Sequence, residues 1–89
     1  MMEKTFKILN EEGLHARPAG AFVKLANEFK SKIEVRANGI TKNGKSIMGL
    51  ISFGLCMNDE ITVIVSGEDE PEAMKKIEDL IENKFKISL

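Results

Sequence analysis

The sequence predicts a two-layer α+β domain in which three helices cover one face of an antiparallel sheet. Segments 33–37 and 61–65 place apolar residues at every second position, as strands with one buried face do. Three other segments carry apolar residues at helical spacing. The alternation favours an antiparallel sheet, because the strands of a parallel sheet are covered on both faces and are apolar throughout. The predicted order is β-α-β-β-α-β-α, with the other sheet face open to solvent.

Four strands are predicted from this alternation and from one turn signal. Residues 4–8 alternate in the same way as segments 33–37 and 61–65. Asn38 and Gly39 follow the second strand and form a strong two-residue hairpin signal. Residues 40–42 should therefore pair back as a short third strand.

Three helices are predicted between and after the strands. Apolar residues recur through 19–29, and Pro18 suits the first turn of a helix. A short second helix has Ser46 as its N-cap and Gly54 as its stop. The third helix begins near Pro71, after an acidic run that suits a helix N-terminus. The lysines assigned to its C-terminal end are Lys84 and Lys86.

Composition restricts the class of protein. The 89 residues suffice for one small domain, 1–89, without room for a second core. Hydrophobic residues make up 43% and charged residues 30%, which is typical of a globular fold. The formal net charge of −1 disfavours binding to phosphate backbones. No apolar run approaches the roughly 18 residues that span a bilayer, so we expect neither direct nucleic-acid binding nor membrane insertion.

Reactive side chains are few. One histidine and one cysteine are too few for a usual zinc site, so we expect no metal and no other cofactor. The single cysteine, Cys56, excludes an internal disulfide framework and fits the reducing cytosol, so a cytoplasmic location is expected. Cys56 could act as a nucleophile with His15 as its base, but its apolar neighbours Leu55 and Met57 favour a thiol that packs.

The densest group of chemically useful residues is the run 13–19, GLHARPA, at the start of the first helix. His15 should lie just before the helix, near backbone N–H groups that favour an anion and disfavour an imidazolium. A neutral imidazole keeps a lone pair for nucleophilic attack, and Arg17 can offer its guanidinium to a phosphate. The run fits a histidine that accepts a phosphoryl group, and it also fits an exposed loop histidine beside a solvated arginine.

A second group of residues surrounds Ser46. This serine is predicted to cap the short helix, and a phosphate added at that position would be compatible with the cap, with Lys45 offsetting part of its charge. Ile47, Met48 and Ile51 are more apolar than a short helix needs for one contact face. Either all three belong to the core, or some are exposed and dock a partner.

The two groups together resemble HPr, the histidine-containing phosphocarrier family of the bacterial phosphoenolpyruvate-dependent sugar phosphotransferase system. Residues 13–19 are similar to the family's active-site motif. Residues 45–50, followed by Gly54, are similar to its regulatory-serine motif in low-GC Gram-positive bacteria. The likeness covers essentially the whole chain. It implies an open-faced β-sandwich whose four-stranded antiparallel sheet, in the order 1-4-2-3, is covered by three helices.

The resemblance also implies roles for individual residues. His15 would be phosphorylated on Nδ1 by enzyme I and would pass the group to IIA proteins or domains, with Arg17 assisting at the site. Ser46 would be phosphorylated by an ATP-dependent HPr kinase/phosphorylase, and that form would act with a catabolite-control transcription factor. If the apolar residues of the short helix are exposed, Ile47, Met48 and Ile51 are the candidates for partner binding. The chain would then be a monomeric carrier rather than a stand-alone enzyme.

Two other functions fit the sequence less well. A regulatory adaptor of carbon catabolite control would act mainly through Ser46, but family relatives of that kind lack the histidine. A nucleic-acid-binding domain would need exposed aromatic and basic residues on its open sheet face. The outward strand positions offer no such pattern: Glu34, Arg36, Thr62 and Ile64.

The sequence departs from the family pattern at Glu12, Gly20, Ile51, Phe53 and residues 56–58. Glu12 stands where the family more often has a small polar residue. Its carboxylate would either approach the His15 ring and raise the pKa of the imidazole, or point into screened solvent.

Overall fold

Four strands form one antiparallel sheet: β1 (Met2–Lys7), β2 (Lys32–Ala37), β3 (Ile40–Asn43) and β4 (Glu60–Ser66). The strand order is β1-β4-β2-β3, which confirms the expected topology. The computed structural model describes residues 1–86. The predicted hairpin is confirmed as well, because Asn38 (φ 54°) and Gly39 (φ 77°) both adopt the positive φ that a two-residue turn of this kind needs.

Three helices pack on one face of the sheet: α1 (Ala16–Ala26), α2 (Ile47–Ile51) and α3 (Glu70–Glu82). Helix α1 contacts both other helices, and α3 also contacts β1 and β4. The core lies between the two layers, and its largest fully buried side chains include Phe22, Phe85, Ile8, Leu14, Ile33, Leu50, Ile61 and Ile77. Among residues 1–86, no helix combines the length and the apolar character needed to cross a membrane.

One outward strand position is more buried than the alternation suggested. Ile64 alternates with the core residues Val63 and Val65 and therefore faces away from the helices, yet only 7% of it is exposed. It lies on β4 between Glu3 of β1 and Glu34 of β2. Long side chains on both neighbouring strands thus flank it, so the outer sheet face is polar without leaving Ile64 in solvent.

The end of α3 differs from the sequence expectation. Lys84 and Lys86 are expected from the sequence at the C-terminal end of the helix, but α3 ends at Glu82 and both lysines lie beyond it. The N–H of Phe85 donates to Leu80 O (2.8 Å) and that of Lys84 donates to Ile81 O (3.0 Å). This bonding pattern is a Schellman motif.

The Schellman motif has an unusual residue at its turning point. A glycine commonly occupies this left-handed position, whereas here Lys84 (φ 55°) and Phe85 (φ 61°) both adopt it. Phe85 is fully buried in the core, and that burial opposes the backbone cost of the turn. The turn brings the last carbonyl groups of this segment to the start of α1, where the candidate site lies.

Candidate functional site

His15 is the N-cap of α1. Its backbone is extended (φ −91°, ψ −166°), and its carbonyl accepts the first helical hydrogen bond, from Ala19 N at 2.9 Å. The side chain is exposed and makes no capping hydrogen bond. Because Pro18 has no N–H, the free donors of the first turn are those of Ala16 and Arg17. The predicted placement of His15 beside unpaired helix N–H groups is confirmed.

The backbone immediately before His15 is held against the turn that follows α2. Leu14 is buried, and its N–H donates to Leu55 O at 3.1 Å. Gly13 has a φ of +72°, and a Cβ atom there would lie 2.4 Å from Leu55 O. Only glycine allows both the left-handed backbone and this close approach. The imidazole is therefore carried outward by a fixed segment of backbone.

The guanidinium of Arg17 is engaged rather than solvated. Its Nε donates to Glu12 Oε2 and its Nη2 to Glu12 Oε1, both at 2.9 Å. Nη1 donates to Phe85 O at 3.0 Å, and Nη2 donates more weakly to Lys84 O at 3.4 Å. The sequence expectation of a free guanidinium beside His15 is corrected: Arg17 joins the loop before α1 to the turn after α3.

The carboxylate of Glu12 matches neither of its two sequence expectations, because it forms an ion pair with Arg17. A third hydrogen bond, from Nδ2 of the buried Asn10, reaches Oε1 at 3.1 Å. The Arg17 hydrogen bonds, followed by the one from Asn10, lower the pKa of Glu12 from 4.5 to about 2. Sequence reasoning missed this pair because the two residues meet only through the backbone turn at Gly13.

Ser46 caps α2 as predicted. Its Oγ accepts a hydrogen bond from Gly49 N at 3.1 Å, and its side chain is half-buried. The sequence suggested that the ammonium group of Lys45 is available to offset charge at Ser46. In the structure this group is engaged elsewhere. Its Nζ donates to Phe29 O at 2.8 Å, in the segment that follows α1.

The apolar residues of α2 divide between core and surface. Leu50 is fully buried. Ile47 is 43% exposed and Met48 is 76% exposed, so the interpretation that all of these residues belong to the core is wrong. Ile51 is intermediate and packs partly against the core. Helices α1 and α2 are in contact, which places this apolar surface on the element next to the one that carries His15.

Cys56 is the other reactive side chain considered from the sequence. Cys56 is exposed, in contrast to the packed thiol that its neighbours suggested, and its Sγ lies 3.8 Å from Gly54 O. Within residues 1–86, no three His, Cys, Asp or Glu side chains are arranged to hold a metal ion.

A comparison with protein families tests the resemblance that the two motifs suggested. The family model described as PTS HPr component phosphorylation site matches residues 2–83. The chain belongs to the HPr family. It is therefore an HPr-type phosphocarrier of the phosphotransferase system, which confirms the resemblance seen in its two motifs.

Individual HPr proteins match along nearly the full chain. A phosphocarrier protein HPr from Treponema pallidum (strain Nichols) is 42% identical over 85 residues, covering 96% of this chain and 97% of that protein. The structure of HPr-C-His from Thermoanaerobacter tengcongensis is 45% identical with a TM-score of 0.93, and the match covers 100% of both chains. This match confirms the open-faced sandwich.

A further HPr structure bears on assembly. It is described as an HPr dimer from Thermoanaerobacter tengcongensis, is 45% identical with a TM-score of 0.77, and the match covers 98% of this chain and 100% of that one. Because that relative is a dimer, the monomeric state expected for the present chain stays a prediction.

The depressed pKa of Glu12 predicts a pH dependence of stability. The carboxylate is stabilised in the folded chain, so its contribution is complete above the unfolded-state pKa near 4.5 and is lost as the pH falls towards 2. We expect the unfolding free energy of Glu12→Gln to lie below that of the native chain at pH 7, with the gap closing between pH 4.5 and 2. Urea unfolding across this range measures the gap.

A direct control follows the Glu12 carboxyl carbon by NMR. Its titration midpoint should lie near 2 in the native chain and should rise towards 4.5 in Arg17→Ala, because Arg17 is the main cause of the shift. A gap in unfolding free energy that stays constant from pH 7 to 2, or a midpoint unaffected by Arg17→Ala, would contradict the ion pair.

Proposed function

We propose that this HPr-family chain carries a phosphoryl group on Nδ1 of His15, taking it from enzyme I and passing it to IIA proteins or domains of sugar uptake systems. The observation that carries the proposal is the exposed imidazole at the N-cap of α1. His15 is the chain's single histidine. Its fixed backbone presents the ring outward, where a second protein can reach it. The proposed carrier works as a cytoplasmic monomer.

The transfer needs one nucleophilic atom and a place for negative charge. The lone pair of Nδ1 attacks the phosphorus as the bond between phosphorus and the donor breaks, and the donor keeps the electron pair of that bond. In the second step a nucleophile of the acceptor attacks the phosphorus, the bond between phosphorus and Nδ1 breaks, and Nδ1 keeps the electron pair. Neutral imidazole is the reactive form, because the protonated ring has no free lone pair.

The start of α1 supplies positive potential for the phosphoryl oxygens. The N–H groups of Ala16 and Arg17 lie at the end of the helix that carries partial positive charge. The guanidinium of Arg17 lies two residues from His15, its positive charge is offset in part by the Glu12 carboxylate, and its planar fork suits phosphate geometry. Arg17 is therefore proposed to assist the transfer, and His15 to be the group that forms the covalent bond.

A regulatory role is proposed for Ser46. An HPr kinase/phosphorylase would phosphorylate its hydroxyl, and the phosphorylated chain would act with a catabolite-control transcription factor. The exposure of Ile47 and Met48 supports a partner-binding surface beside this serine, with Ile51 at its edge. An exposed His15 at a helix N-cap favours the carrier over an adaptor that acts through Ser46 alone.

The first test removes the acceptor. His15→Ala should abolish phosphorylation by enzyme I and phosphoenolpyruvate, because no other imidazole is present. The variant should unfold at the same urea concentration as the native chain, since the side chain is exposed and makes no capping bond. Phosphorus NMR should show an Nδ1-phosphohistidine signal in the native chain. A phosphoryl signal from His15→Ala would refute the assignment.

Arg17→Ala should be phosphorylated more slowly than the native chain, but its phosphorylation should remain detectable.

The second test adds charge at the cap of α2. Ser46→Asp and Ser46→Asn cap a helix about equally well, so they differ mainly in charge. We expect enzyme I to phosphorylate Ser46→Asp roughly two- to fivefold more slowly than Ser46→Asn at low salt, because a negative charge weakens the encounter with an anionic donor. The difference should shrink at high salt. Equal rates at low salt would contradict regulation through charge at this position.

A further inference from the structure

The hydrogen bonds of Arg17 leave it little capacity for a phosphoryl group. A guanidinium has five N–H donors. Glu12 takes two of them at 2.9 Å, and the carbonyls of Phe85 and Lys84 take two more. Only one N–H, on Nη1, is left unassigned among the described contacts of residues 1–86. A bidentate contact with phosphate would therefore require an existing partner to leave.

The partner that occupies the fork is itself held in place. Asn10 is 3% exposed, and its Nδ2 donates both to Glu12 Oε1 at 3.1 Å and to Gly13 O at 2.8 Å. The carboxylate of Glu12 thus receives hydrogen bonds both from a buried amide and from Arg17. Its orientation is fixed by the same loop that fixes the backbone of His15.

The Arg17–Glu12 pair is nevertheless exposed enough for Arg17 to exchange Glu12 for another anion. The side chains of Arg17 and Glu12 are 50% and 42% exposed. They line an open groove of about 240 Å³. Exposed ion pairs of this kind are weak, because water and salt screen them. A phosphoryl group two residues away, carrying more charge than a carboxylate, is a competitor for the same guanidinium.

We propose that Glu12 is a positioning residue that holds Arg17 away from the phosphorylated His15 and so keeps the phosphohistidine ready to give up its phosphoryl group. The inference rests on the proposed carrier function. It names Glu12 as a residue that sets the equilibrium of phosphoryl transfer between this chain and the next protein. Glu12 competes with the phosphoryl oxygens for the guanidinium. The phosphorylated form is stabilised less than it would be by a free arginine, and transfer to the next protein is correspondingly more favourable.

The test measures how a phosphoryl group distributes between two carriers. Phosphorylated native chain is mixed with unphosphorylated Glu12→Gln and a catalytic amount of enzyme I, without phosphoenolpyruvate. Each exchange breaks one N–P bond and forms another, so the final ratio reports the relative stability of the two phosphohistidines. The charge difference separates the species on a native gel. We expect the phosphoryl group to favour Glu12→Gln by about two- to fivefold, the range of an exposed ion pair.

Two controls isolate the route through Arg17. Glu11→Gln removes one negative charge at the neighbouring position. Glu11 forms no side-chain hydrogen bond or ion pair with any residue in 1–86, so this substitution should leave the distribution near one to one. In the Arg17→Ala background, Glu12→Gln should also have no effect, because the guanidinium for which Glu12 competes is absent.

Each outcome decides the matter. An equal distribution between the native chain and Glu12→Gln overturns the proposal. So does an equal preference for Glu11→Gln, which would mean that net charge is responsible. A preference that persists in Arg17→Ala overturns it as well, since Glu12 would then act on the phosphoryl group directly. If enzyme I phosphorylates none of these proteins, the carrier function itself has failed, and this is visible before any distribution is measured.

Discussion

The close contact between the backbone of Gly13 and Leu14 and the carbonyl of Leu55 determines where His15 lies. The contact needs a left-handed residue without a side chain, and the hydrogen bond to Leu55 O then directs Leu14 into the core. The next residue, His15, therefore faces outward at the start of α1. The backbone of His15 is thereby attached to the core, although its side chain makes no capping hydrogen bond.

Arg17 connects the same loop to a turn that is distant in sequence but adjacent in space. Arg17 bridges Glu12, before the helix, and the carbonyls of the turn after α3, nearly seventy residues away in sequence. That turn exists because Phe85 is buried and the Schellman motif reverses the chain. The acidic partner of Arg17 and its carbonyl partners together make the guanidinium part of the fold. In the proposed transfer, the fork of Arg17 can therefore contact phosphoryl oxygens only when one of these partners leaves.

Local signals in the sequence predicted most of the architecture and the place of His15. The Asn38-Gly39 hairpin, the Ser46 cap and the alternating strands depend on neighbours along the chain, so they can be recognised without tertiary structure. The pairing of Glu12 with Arg17 could not be recognised from the sequence, because it requires the turn at Gly13. The hydrogen bond from Lys45 to Phe29 could not be recognised either, because it requires α1 and α2 to pack. The burial of Ile64 likewise arises from side chains on two neighbouring strands.

The most direct measurement compares two glycine-to-alanine variants. Gly13→Ala forces a side chain into the left-handed position, where its Cβ would lie 2.4 Å from Leu55 O, whereas Gly20 in α1 has nothing within 4 Å. The unfolding free energy should fall by at least about 1–2 kcal/mol in Gly13→Ala and rise by about 1 kcal/mol in Gly20→Ala. The rate at which enzyme I phosphorylates the folded fraction should fall only in Gly13→Ala. Unchanged stability and an unchanged rate in Gly13→Ala would contradict the account that this contact positions His15.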